Sequence, residues 1–274
     1  MNNLGKVSWR LLPLLAALAV GCDFPGQPNP DDRPKPANQV TDFNVLYAWR
    51  CAGCHGADGK LGPAPPLNDP LFLAIVPDAE LLRVISEGRA VTPTQKSPMP
   101  AFRLGSGAPL TEAQIKAWAE LKEETHADPR QQGPLTAAQV KVLAEGIKKR
   151  WQAATPVDNA IPPYLAPTTT GSGKEKEGLL VFARACAGCH GSQGQGGKYG
   201  ERQIGAISNP AFLALISDQT LRRYAITGRP DLGMPAFDGK AGRSPDFHPL
   251  TSGEINDLVS VLAAWRTSGP ADGK

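Results

Sequence analysis

Histidine occurs four times, methionine three times and cysteine five times in 274 residues, and aromatic residues make up only 6% of the chain. Ligand types this scarce seldom fall into register by chance. No apolar run has the roughly 20 residues that a helix needs to cross a bilayer, since the N-terminal run from Leu11 to Val20 is too short. The alternation of apolar and polar residues that marks half-buried strands is also missing, which argues against a core built on sheets. Basic and acidic residues nearly balance, 29 against 26, with no basic cluster. That excludes a nucleic-acid partner.

Against this background the string Cys51-Ala52-Gly53-Cys54-His55 recurs as Cys186-Ala187-Gly188-Cys189-His190. Two thiols three positions apart add across the two vinyl groups of one haem, and the adjoining histidine then meets the iron as its proximal ligand. Paired cysteines also serve zinc sites and redox disulfides. The methionines discriminate. After the initiator only Met99 and Met234 occur, each 44 positions past its histidine (99 − 55 and 234 − 190), and each opens the string Met-Pro-Ala-Phe. A zinc or disulfide site has no use for them, whereas an iron with one histidine takes thioether sulfur as a sixth ligand. The proline that follows removes a backbone donor, so each methionine reads as a placed loop residue and not as helical core filler.

The likeness of the halves extends beyond the ligands. Phe72-Leu73-Ala74 matches Phe212-Leu213-Ala214, and Gly88-Arg89 matches Gly228-Arg229. One module has been duplicated. Apolar periodicity predicts helices over Phe43 to Cys54 and Glu177 to Cys189, then over Pro70 to Val76 with Pro210 to Ile216 and Asp78 to Glu87 with Asp218 to Thr227. Proline at a first-turn position and glycine after the last residue supply starts and stops. A final helix runs from Leu250-Thr251 through Trp265, with Thr251 and Glu254 as a capping box. The first half offers two counterparts, 110–124 and 135–151, and the second is favoured because it also ends in tryptophan, Trp151.

Each half resembles a class I cytochrome c domain. The likeness rests on CxxCH, the Met-Pro loop and the terminal Leu-Thr helix, and it covers 40–151 and 175–268. It implies an all-α chain of two tandem domains, each wrapped around one covalent haem c, with its first and last helices crossing near the haem. Cys51, Cys54, Cys186 and Cys189 would attach the two haems, and His55, Met99, His190 and Met234 would ligate the irons. In that family a carbonyl in a Gly-Pro-x-Leu stretch orients the histidine. Gly62, Pro63 and Leu67 fit loosely, and Gly205-Ala206-Ile207 lacks the proline. Arg89 and Arg229 are candidates to pair with haem propionates, while His126 and His248 read as surface residues.

The opening residues read as a secretory signal over 1–21, and the string up to Cys22 resembles a bacterial lipobox. Cys22 is thus the expected lipidation site, and Asp23 beside it resembles the signal that retains lipoproteins in the inner membrane of some bacteria. Residues 22–39 are a proline-rich tether and 152–174 a second linker. That linker either lets the two domains move or is pinned to a surface through Tyr164. Residues 269–274 are a tail. The expected protein is a lipid-anchored dihaem carrier on the periplasmic face of a bacterial inner membrane. It would pass single electrons in a respiratory chain between a membrane complex or dehydrogenase and a terminal oxidase or soluble carrier. An electron-relay subunit of a larger oxidase or dehydrogenase and a dihaem peroxidase-like enzyme are the alternatives. The peroxidase design needs asymmetric haems, and the matched methionines argue against it.

Overall fold

The computed structural model describes residues 35–89, 99–102, 134–153, 160–166 and 174–270. Two expected segments, the signal with Cys22 and the helix over 110–124, lie outside the described residues. Everything below concerns the compact unit from Ala37 onward.

The first half builds α1 (Phe43–Arg50), α2 (Ala52–His55), α3 (Pro70–Ile75), α4 (Asp78–Glu87) and α5 (Ala137–Trp151). The second builds α6 (Glu175–Ala185), α7 (Ala187–His190), strands β1 (Gly197–Tyr199) and β2 (Arg202–Ile204), α8 (Pro210–Leu215), α9 (Asp218–Thr227) and α10 (Ser252–Ser268). Local chemistry sets the ends. Asp42, Asp69, Asn209 and Ser217 accept first-turn N–H groups, and Thr136 with Gln139 and Thr251 with Glu254 form complete capping boxes. Gly88 and Gly228 end α4 and α9 at φ of 67° in both cases.

Two details add to the expected helices. The helical segment that runs into each haem motif is interrupted at its first cysteine, where the Cys51 carbonyl is shared between the N–H groups of Cys54 (3.1 Å) and His55 (2.8 Å), and Cys186 behaves likewise. The fold is also not purely helical. β1 and β2 pair antiparallel through a turn at Gly200-Glu201, and three-residue strands are too short to show alternation in a sequence.

In each half the first helix crosses the last. Tyr47 meets Trp151 edge-on at 5.1 Å, and at the same place in the second half Phe182 meets Trp265 at 5.0 Å. Glycine permits the close approach, but from opposite partners. Gly178 on α6 faces the backbone of α10, whereas Gly146 on α5 faces the Phe43 ring on α1. A further repeated contact is a cation from the last helix. Lys148 donates to the Val76 carbonyl (2.9 Å) and pairs with Asp78. Arg266 donates to the Leu213 (2.9 Å) and Ile216 (2.7 Å) carbonyls and pairs with Asp218. These cations add a donor at carbonyls near the ends of the short helices, where the Leu213 carbonyl also accepts the Ile216 N–H (3.3 Å).

Each half has its own apolar core. Linker residues 160–166 join them. Tyr164 is buried in the first core, 5.7 Å from the Phe72 ring, and Ile161 packs on the second. Arg222 of α9 donates to the carbonyls of Pro163 (2.7 Å) and Tyr164 (3.1 Å), and Gln219 to Tyr164 (2.8 Å). Of the two linker readings, pinning through Tyr164 is the one observed.

Candidate haem sites

Each CxxCH motif forms a single helical turn in which the histidine N–H returns to the carbonyl of the first cysteine, at 2.8 Å for His55 and 3.0 Å for His190. Residues four apart on a helix share a face, so this turn sets the first thiol and the imidazole side by side. Burial pushes the Cys51 and Cys186 thiols up to about 12, which keeps them neutral. Cys54 is exposed and Cys189 half-buried. All four are free thiols, and among the described residues no group of three or more His, Cys, Asp or Glu converges as a zinc ion requires.

Both imidazoles are driven toward the neutral form that a metal accepts. Burial lowers the pKa of His55, opposed by the Pro65 carbonyl and reinforced by Arg223. Nδ1 of His55 lies 2.8 Å from that carbonyl, so it carries the proton and Nε2 is left for iron. The orienting carbonyl is thus Pro65, within the stretch bounded by Gly62 and Leu67. Burial also lowers His190, and the Gly205 carbonyl opposes it. Yet His190 Nδ1 is buried without a hydrogen-bond partner among the described residues. Gly205 stands where Pro65 does in the first copy, so the same carbonyl position faces the histidine without the proline.

The methionine segments are clamped at both ends, in the same way in each half. At one end the Arg89 N–H donates to the Met99 carbonyl (3.2 Å), and the Arg229 N–H to the Met234 carbonyl (3.0 Å). At the other, Leu135 N–H donates to the Phe102 carbonyl (2.6 Å) and Leu250 N–H to the Phe237 carbonyl (3.1 Å). Leu135 and Leu250 precede the two capping boxes, so α5 and α10 occupy equivalent places. Gly88 and Gly228 have a role here beyond ending a helix. A Cβ at Gly88 would lie 2.6 Å from the Met99 carbonyl oxygen, and one at Gly228 2.5 Å from that of Met234. The matched Gly-Arg pairs were the sequence signal for this clamp, although they suggested only helix stops and propionate partners. Arg229 is instead engaged by Asp231 at 2.7 Å, and Arg89 reaches the Tyr164 and Ser217 hydroxyls at 3.4 and 3.5 Å.

The donor set therefore suits a covalent haem in each half: two free thiols, an imidazole with one nitrogen free or oriented, and a soft thioether on a clamped segment. No curated protein matches the chain. The family described as Cytochrome C oxidase, cbb3-type, subunit III matches residues 38–120 and 173–246. Because that match spans more than half of the chain and takes in both CxxCH turns and both methionines, the chain belongs to this cytochrome c family, whose domains bind covalent haem c and transfer electrons.

Proposed function

We propose that the chain carries two haem c groups, attached through Cys51 and Cys54 and through Cys186 and Cys189, and relays single electrons within a bacterial respiratory chain. His55 with Met99 and His190 with Met234 would hold the two irons. Bound there, the haem iron supplies one-electron chemistry between its ferric and ferrous states. The residues of this chain do the rest. The Pro65 carbonyl fixes the tautomer of His55, and the clamped Met-Pro segments would hold each thioether in place. One observation carries the reading. Equivalent N–H donors hold the Met99 and Met234 carbonyls and the Phe102 and Phe237 carbonyls in the two halves, a symmetry that supports a carrier over the unequal haems of a peroxidase design.

The family points to an oxidase complex, and we assign the chain the part of an electron relay feeding a cbb3-type terminal oxidase from the periplasmic side. Among the described residues no helix is long and apolar enough to cross a membrane. A lipid on Cys22, with residues 22–39 as tether, is the proposed attachment.

Haem content and a spectroelectrochemical titration test this together. Two haems per chain are expected, both with the weak near-infrared band of methionine-ligated ferric haem and neither binding added cyanide or carbon monoxide readily. A haem that lacks the band and takes up the added ligand refutes the carrier reading for that half and favours a peroxidase-like enzyme.

A further inference from the structure

The repeat places arginine at the same point of α4 and α9, and the two side chains have opposite surroundings. Arg83 is 47% exposed and pairs with Glu80 at 2.8 Å and Glu87 at 3.5 Å. In the second half those glutamates are replaced by Thr220 and Thr227. Arg223 has no carboxylate partner among the described residues and is only 4% exposed. It leaves its own half. Its guanidinium carbon lies 3.5 Å from the centroid of the Phe72 ring, and one terminal nitrogen donates to the Pro66 carbonyl. Pro66 follows Pro65, whose carbonyl holds His55.

Burying a guanidinium without a carboxylate at hydrogen-bond distance is costly. Burial lowers its pKa to about 10, so it remains charged at neutral pH. The groups around it are Tyr164, Tyr224 and Asp69, which favour the charge, and Arg89, which opposes it. The Phe72 face adds a cation–π contact. This charge rests on the segment that orients the proximal histidine of the other half. A ferric haem carries one more positive charge than a ferrous one, so a fixed buried cation nearby disfavours the ferric form and raises the potential.

We propose that Arg223 is a positioning residue for the first haem, contributed across the domain boundary, and that its buried charge raises the reduction potential of the site at His55. The first potential then depends on the docking of the second half, and linker residues 160–166 secure that docking. This rests on the two-haem reading above.

The test is a redox titration of the full-length holoprotein bearing Arg223→Met or Arg223→Lys, each in a Met234→His background. Histidine in place of methionine lowers the second potential and so separates the two components. Arg223→Met keeps length and packing without charge. It is expected to raise the ferric-to-ferrous ratio of the first haem about tenfold at fixed ambient potential, a fall of about 59 mV for a one-electron couple. That is the order expected of a unit charge acting over roughly 10 Å at an effective dielectric of about 20. Arg223→Lys is expected to stay close to the parent. No shift, a shift in the second component, or equal shifts in both variants would overturn the proposal. If the methionine variant fails to fold, a lysine variant with a lowered first potential overturns it alone. Haem content separates the two readings. Fewer than two haems per parent chain refutes the dihaem assignment, and two haems with no shift refutes only the role of Arg223.

Discussion

Replacing Gly178 by alanine puts a methyl group into the crossing of α6 and α10. Its Cβ would lie 2.2 Å from the Asp257 carbonyl oxygen and 2.6 Å from a Val261 methyl. Ordinary carbon–oxygen contact is about 3.3 Å or more, so the helices must part by about 1 Å. The nearest obstacle is backbone, which cannot rotate away. Overpacking of this kind costs typically about 1–3 kcal/mol, and the upper end applies because the opened crossing also loses contacts along its length. Alanine is the better helix former by about 1 kcal/mol. The net is a loss of about 2 kcal/mol, or a fall of roughly 4–8 °C in melting temperature for a unit of this size. Gly146→Ala in the first half is the control. There the clash, 2.1 Å at closest, is with the Phe43 ring, a half-buried side chain at the first position of α1 that can swing outward. Its cost is expected to stay within about 1 kcal/mol. Heating the holoproteins while following helical circular dichroism gives both midpoints. A Gly178→Ala protein as stable as the parent, or less affected than Gly146→Ala, would show that the two crossings do not depend on glycine in the way their geometry states.

Gly228→Ala adds a side chain at φ of 67°, against the Met234 carbonyl, and is expected to weaken the near-infrared methionine band by about half, as one of two haems loses its clamp; an unchanged band counts against the clamp. Arg266→Met removes a donor from the Ile216 carbonyl and from Asp218, and one of two donors from the Leu213 carbonyl. Urea unfolding is expected to show a loss of about 3 kcal/mol, and a smaller one for Lys148→Met, because the Lys148 side chain is 20% exposed against 3% for Arg266. The hydrogen bonds from Arg229 hold Asp231 below the ordinary carboxylate value of 3.8. A carboxyl depressed in the folded state contributes stability above 3.8 that is lost as pH falls through its folded value. Asp231→Asn is therefore expected to lower the melting temperature at neutral pH and to converge with the parent in acid, as a melting series across pH would show.

The candidate ligands were legible because each is a rare residue in a short string that occurs twice, so two CxxCH motifs and two Met-Pro loops at one spacing pointed to the cofactor chemistry. The helices α3, α4, α8 and α9 were equally legible, since their caps and stops lie within a few residues of the segments they end. The hairpin was not, because three-residue strands show no period. The roles of Gly88 and Gly228 were visible only in part: their recurrence was plain, but the methionine carbonyl they make room for lies 11 residues away in one half and six in the other.

Local composition thus determined the candidate ligands, the duplication and most of the helices, because hydrogen bonds between near neighbours and strict spacing record these in any one segment. What only the tertiary structure decided was long-range. Tyr164 belongs to the core of the first half while its carbonyl is held by the second. Arg223, alike in sequence position to the solvent-facing Arg83, is turned into the neighbouring half. Whether a given arginine is screened by water or buried against a partner depends on what packs over it, and nothing within a few residues of it records that.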